Sequence, residues 1–254
     1  MTIYRPTSNL LMIVGNYGSG KTEVAVNVAV QMADEGRRVD VADLDIVNPY
    51  FRCREARELM ERRGIRVVMP PGAQAWADLP IVLPEIKGML HPEGDRISLF
   101  DVGGDDVGAK LLSSFVEALK GRTYSLLQVV NSRRPFTDTV EGCLKMKRDI
   151  EAASRLKVTG LVANSHLVAE TTVEVILEGW RLARSVSEAS GVPVEFVTAM
   201  GDLADDPALK TVQAPVLRLT RIMLPPWLRP AEKKDSANPE KSAPAERARP
   251  IFRP

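Results

Sequence analysis

Cysteine, histidine and net charge are all scarce in this 254-residue chain. The two cysteines, Cys53 and Cys143, stand far apart and neither belongs to a C-x-x-C pair. That excludes a disulfide framework and points to a reducing compartment. The two histidines, His91 and His166, are too few and too scattered for a zinc centre. Lys and Arg number 34 against 33 Asp and Glu, a formal charge of +1, so the basic excess of a dedicated nucleic-acid binder is missing. No apolar run reaches the ~20 residues needed to cross a bilayer. Met1 to Leu10 also lacks the long apolar core and small-residue cleavage site of a secretory leader. The expectation is a cytoplasmic protein that uses neither a membrane nor nucleic acid as its partner.

What is present is ample apolar material, 44% of the residues, enough for the core of one α/β domain. It comes as short runs: Leu10–Val14, Val39–Ala42, Ile65–Met69, Ile97–Phe100, Leu126–Val130, Val158–Ala163 and Val194–Val197. Such runs read as strands buried on both faces of a parallel sheet. Helical patterns alternate with them. Val24, Val28 and Met32 share one face while Val26 and Val30 lie elsewhere, and Gly36 is placed to end that helix. Leu111, Leu112, Phe115, Val116 and Leu119 form one stripe before Gly121. Val140, Cys143, Leu144 and Ile150 form another. Thr171-x-x-Glu174 reads as a capping box opening a helix that buries Val173, Ile176, Leu177, Trp180 and Ala183 and stops at Gly191.

This rhythm predicts an α/β fold with a doubly wound, mostly parallel sheet flanked by helices, a Rossmann-like three-layer sandwich. Ligands then bind at the carboxyl ends of the strands. The domain is expected over 1–229. Within it, 70–95 is a Pro/Gly-rich insertion with one short helix near Pro84–Leu90. The segment 230–254 is rich in Pro, Ala, Glu, Lys, Ser and Arg and is expected to stay disordered.

The strongest motif is Gly15-Asn16-Tyr17-Gly18-Ser19-Gly20-Lys21-Thr22, which fits G-x-x-x-x-G-K-[ST]. Glycines let the backbone wrap a phosphate with its N–H groups pointing inward, and the following helix adds its positive end. Lys21 would reach the β and γ phosphates, and the Thr22 hydroxyl would bind Mg²⁺. The context agrees, because an apolar strand ends at Gly15 and a helical pattern opens at Lys21.

A triphosphate site also needs acids. Asp101 follows the run Ile97–Phe100 and precedes Val102-Gly103-Gly104, which suits a carboxylate that holds Mg²⁺ and a glycine amide that senses a γ-phosphate. Asp43-Leu44-Asp45 ends another strand and could serve the metal and the attacking water. Asn164 ends the run Val158–Ala163, and its amide offers both a donor and an acceptor to a purine edge. His166 reads as an ordinary loop histidine. Arg133-Arg134-Pro135 follows Leu126–Val130 and either clamps an anion or stands in solvent. Cys53, Cys143 and Trp76 read as structural.

Taken together, Gly15–Thr22, Asp43-Leu44-Asp45, Asp101-Val102-Gly103-Gly104 and Asn164 resemble the MinD/ParA and CobQ/CobB superfamily of P-loop ATPases, over roughly Leu10 to Leu219. The resemblance implies that Asp45 positions the attacking water, that Asp43 lies near the metal and that Asn164 reads the base. It departs from the pattern at Asn16, where MinD and ParA proteins carry a lysine that crosses a dimer interface. Arg133 or Arg134 could replace that charge. The Pro-rich tail reads as no amphipathic membrane helix of the MinD kind, so membrane targeting is not expected, and the C-x-x-C pair of the iron–sulfur carriers does not occur.

The expected activity is hydrolysis of ATP with Mg²⁺ as a conformational switch, with a homodimer and a protein partner as the implied assemblies. One alternative is an enzyme of CobQ/CobB or dethiobiotin synthetase type that uses ATP to activate a small carboxylate. Another is a nucleotide-binding partner protein with negligible turnover. ATP is favoured over GTP because Asn164-Ser165-His166-Leu167 lacks the Lys and Asp of N-K-x-D.

Overall fold

The structure, a computed structural model, describes residues 4–45, 56–69, 84–104 and 106–223, with the side chains of 106 and 107 excepted. Cys53, Trp76, the 70–83 part of the insertion and the 230–254 segment lie outside the described residues.

The elements run β1 (Leu10–Gly15), α1 (Lys21–Asp34), β2 (Val39–Leu44), α2 (Arg57–Glu61), β3 (Arg66–Val68) and α3 (Pro84–Met89). Then come β4 (Ile97–Val102), α4 (Asp106–Ser113), α5 (Val116–Leu119), β5 (Ser125–Val130) and α6 (Val140–Ser154). β6 (Gly160–Ala163), α7 (Val173–Ser190), β7 (Val194–Met200) and β8 (Val216–Leu219) close the series. The strands make one sheet in the order β3-β2-β4-β1-β5-β6-β7-β8, parallel throughout. The parallel three-layer α/β expectation is met, and the helix expected near Pro84–Leu90 is α3.

Strand alternation divides the core into two layers. From β1, Leu11 and Ile13 face Val24, Ala25, Val28 and Met32 of α1. Leu10, Met12 and Val14 face the opposite layer with Phe100, Leu112, Phe115 and Ile150. All six residues of β1 are buried, which is why the strand reads as an unbroken apolar run. α1 stops where Gly36 turns to φ +81 and the Arg37 N–H reaches back to the Met32 carbonyl at 3.0 Å.

Three expectations need correction. β8 was not expected from the sequence: it is an edge strand whose Arg218 is exposed between buried Leu217 and Leu219, so it alternates instead of forming an apolar run. The stripe 111–119 is two helices, not one. The Ser113 and Ser114 hydroxyls donate to the Lys110 and Leu111 carbonyls at 2.7 Å, and i→i+3 bonds tighten the chain there. The capping box at Thr171 does not form, because the N-cap of α7 is Thr172. The Thr171 hydroxyl instead accepts the Leu167 N–H at 2.9 Å and donates to the Val168 carbonyl at 2.8 Å, shaping the preceding turn. Among the described residues no helix is long and apolar enough to cross a membrane.

Candidate functional site

The loop Gly15–Thr22 joins the central strand β1 to α1, so it sits at the carboxyl edge of the sheet. Its glycines are forced by close approach. A Cβ on Gly15 would stand 2.6 Å from the Val129 carbonyl oxygen of neighbouring β5. A Cβ on Gly20, at φ +86, would stand 2.3 Å from Asn164 Nδ2. Gly20 is the N-cap of α1 and no side chain caps that end, which leaves the first amides of the helix to a ligand.

Beneath the loop lie the acids. Strand register sets Asp43 of β2 directly beside Asp101 of β4, and Asp101 beside Ile13 of β1. Both carboxylates are fully buried, with Lys21, Thr22 and Asp45 nearly so. The Asp45 N–H donates to Asp43 Oδ1 at 3.1 Å, which turns the chain as it leaves β2. Among the described residues neither oxygen of Asp101 has a hydrogen-bond partner of ordinary length. Burial, with the Asp43 charge beside it, pushes the Asp101 carboxyl up to about 8, and the neighbouring Thr22 hydroxyl and Lys21 offset only part of this. An orphaned buried carboxylate beside a threonine hydroxyl fits a divalent cation. Among the described residues no group of three or more Asp, Glu, His or Cys side chains forms a ready metal cage. That suits Mg²⁺, which keeps its waters and takes substrate phosphates as ligands.

Lys21 Nζ donates to the Asn16 carbonyl at 3.0 Å and lies over Gly104, where a Cβ would come within 2.6 Å of it and 2.9 Å of the Tyr17 nitrogen. Gly103 is packed by Asp45, whose Oδ1 is 3.2 Å from where its Cβ would be. The structure thus brings the three sequence-expected segments to one point. Asn164 is buried: its Nδ2 donates to the Ser19 carbonyl at 2.7 Å and its Oδ1 accepts from the Thr198 hydroxyl. It therefore pins the loop, with one N–H and one lone pair left for a ligand. Asn16 is tied at both ends, Nδ2 to the Pro135 carbonyl at 2.8 Å and Oδ1 to the Tyr17 N–H at 2.8 Å. Arg133 pairs with Glu178 of α7 and is spent there, so only Arg134 of the two arginines faces the site. Cys143 is buried and its thiol donates to the Thr137 carbonyl at 3.4 Å, in keeping with a structural role.

From the loop a cavity of about 520 Å³ opens toward β7 and β8. Its far wall is apolar, with Ile176, Met200, Leu203, Leu219 and Met223. Asn164 and His166 also line the cavity. An apolar slot leading from a phosphate cradle is the shape of a base and sugar site. His166, read from sequence as an ordinary loop residue, belongs to this wall. Its Nδ1 accepts the Val168 N–H at 3.4 Å. Burial and the positive charges of Arg134 and Arg221 push its imidazole down to about 4, so it is neutral. Sequence reading also missed Glu23. Its carboxylate accepts the Ile222 N–H at 2.6 Å and the Met223 N–H at 3.1 Å, and Asn27 holds Thr220 by the bonds Thr220 N–H to Oδ1 at 2.7 Å and Nδ2–H to its carbonyl at 3.0 Å. These contacts place Arg221 and Met223 at the cavity. An acid directly after Thr22 was the one available signal, and nothing local named its partner.

A glycine loop from a central parallel strand to an uncapped helix, with buried acids on two nearby strands, defines a P-loop nucleotide-binding protein of three-layer α/β fold. No protein-family model matches the chain. The antiactivator FleN of Pseudomonas aeruginosa is 26% identical over 180 residues, covering 63% of this chain and 63% of FleN. The cell division protein FtsY of Thermotoga maritima superposes with a TM-score of 0.53 at 19% identity, covering 77% of this chain and 63% of FtsY. The signal recognition particle 54 kDa protein of Aeropyrum pernix, in complex with GDP, gives 0.51 at 16% identity, covering 76% of this chain and 42% of that protein. The chain therefore spans less than two thirds of each of these relatives. The two structures speak for the fold. The FleN match supports the MinD/ParA-type resemblance read from the sequence.

Proposed function

We propose that the chain is a Mg²⁺-dependent ATPase of MinD/ParA type that works as a conformational switch. The observation that carries this is the orphaned, buried Asp101 carboxylate beside Thr22 and Lys21 under the loop, with Asp45 and Gly104 at the same point. Thr22 would hold Mg²⁺ directly, and Asp101 and Asp43 through water. The bound cation would supply charge neutralisation for the phosphate chain. Lys21 binds those phosphates, and its bond to the Asn16 carbonyl is the one they would replace. Asp45 orients a water whose oxygen bonds to the γ-phosphorus as the P–O bond to the β-phosphate breaks; the water's proton goes to the released phosphate, and ADP and phosphate leave. Gly103 and Gly104, wedged between Asp45, Lys21 and Tyr17, register whether the γ-phosphate is present.

ATP is preferred to GTP on the ground that the segment after β6 lacks the Lys and Asp that read guanine. A homodimer or protein partner is proposed over the mouth of the site, where Tyr17 and Phe136 are 65% and 75% exposed. Arg133 is engaged by Glu178, so under the ligase alternative Arg134 is the arginine placed to meet an acceptor carboxylate.

The test is phosphate release from ATP and GTP, with and without Mg²⁺, for wild type, Lys21→Ala and Asp45→Ala. Expected are Mg²⁺-dependent release favouring ATP, lost in both variants, and nucleotide binding lost only in Lys21→Ala. Tight binding without turnover, alone or with added protein or carboxylates, would overturn the hydrolytic switch and leave a binding module.

A further inference from the structure

Arg133 and Arg134 are neighbours in sequence with opposite fates. Arg133 is neutralised by Glu178, whereas Arg134 has no carboxylate within ion-pairing distance among the described residues. Arg134 is half-buried and lines the cavity together with Lys21 and Thr22. A partly desolvated guanidinium that no carboxylate pairs among the described residues is costly until an anion arrives.

The turn that carries it is rigid. Buried Asn131 accepts the Arg133 N–H on its Oδ1 at 2.9 Å and the Arg134 N–H on its carbonyl at 3.1 Å. Buried Thr137 donates to the same carbonyl at 3.0 Å, and Phe136 is held at φ +70, where non-glycine residues rarely sit. Two bonds then stitch this turn to the phosphate loop. One is Asn16 Nδ2 to the Pro135 carbonyl, and the other is Arg134 Nε to the Gly18 carbonyl at 2.9 Å. The guanidinium is so close over Gly18 that a Cβ there would meet its carbon at 3.1 Å. With Nε occupied, the Nη groups remain as a planar fork of donors at the cradle.

We propose that Arg134 binds the phosphate chain of the nucleotide held by its own subunit, acting in cis from the outer side of the phosphate loop. It supplies there a charge that Asn16, tied at both ends, does not. This rests on the nucleotide reading of the site. It differs from a charge delivered by a second subunit, because the turn and the loop are already joined within one chain.

The experiment measures dissociation constants of Mg-ATP and of inorganic triphosphate for the full chain and for Arg134→Ala, Arg134→Gln and Arg134→Lys, with Arg133→Ala as the neighbouring control. The loss expected for Arg134→Ala is about tenfold to a hundredfold for both ligands, the range of one charge-assisted hydrogen bond. Gln keeps a donor for the Gly18 carbonyl without charge, and Lys keeps the charge. Phosphate binding predicts that Lys retains affinity and Gln does not; the reverse order would reduce Arg134 to a strut for the loop and overturn the inference. Adding excess Lys21→Ala protein to Arg134→Ala should restore nothing, and restored affinity would show action in trans and overturn the cis assignment. Wild type binding well while Arg134→Ala binds equally well would sink this inference alone. Failure of wild type to bind either ligand would sink the nucleotide reading with it.

Discussion

Replacing Asn164 with Asp alters one atom type and isolates what this residue does for the loop. The buried Nδ2 donates to the Ser19 carbonyl at 2.7 Å, while Oδ1 accepts from Thr198. Asn164→Asp preserves the acceptor and the shape but sets an oxygen against the Ser19 carbonyl. The lost bond leaves a buried carbonyl unsatisfied, at a cost of about 1–3 kcal/mol. The new carboxyl is buried too. It either ionises at further cost or takes up a proton, in which case part of the bond returns and the damage shrinks as pH falls. Stability of Asn164→Asp should therefore lie about 1–3 kcal/mol below wild type at neutral pH, and the gap should narrow on acidification. Urea denaturation at two pH values measures both. Affinity for inorganic triphosphate reads the loop separately, since that ligand has no base, and should fall by about tenfold if the loop loses its pin. Full stability together with full triphosphate affinity would refute the reasoning and restrict Asn164 to base reading.

His166 gives a pH prediction with a definite sign. The folded imidazole titrates at about 4 and the ordinary value is 6.5, so between these the unfolded chain holds the extra proton and stability rises with pH. At about 1.4 kcal/mol for each pH unit between the two values, the contribution lost on acidification is on the order of 3 kcal/mol. His166→Gln should flatten the stability curve between pH 4 and 6.5, and urea titrations giving parallel curves would contradict it. Gly104→Ala would put a methyl group 2.6 Å from Lys21 Nζ and 2.9 Å from the Tyr17 nitrogen. Turnover should drop by about tenfold to a hundredfold, because the loop backbone at Tyr17 must shift to admit the methyl group. Unaltered phosphate release would remove Gly104 from the γ-phosphate end.

The sequence by itself determined the phosphate loop, the strand that feeds it and the parallel sheet, because these depend on local signals. Unbroken apolar runs such as Leu10–Val14 mean burial on both faces, and Gly15, Gly18 and Gly20 at fixed spacing with Lys21-Thr22 mean a phosphate cradle. It also named Asp43, Asp45 and Asp101, since each lies at the carboxyl end of such a run. The tertiary structure decided how these pieces meet. β4 inserts between β2 and β1, and only that strand order sets Asp101 beside Asp43 and under Thr22. The separate fates of Arg133 and Arg134 depend on α7 presenting Glu178 to one and the loop presenting the Gly18 carbonyl to the other. Glu23 meets Ile222 and Met223 across about two hundred residues of chain, a separation at which periodicity and spacing carry no information. Backbone propensity and hydrophobic pattern are local and can be read along a chain. Charge pairing and loop pinning are settled by which strands lie side by side.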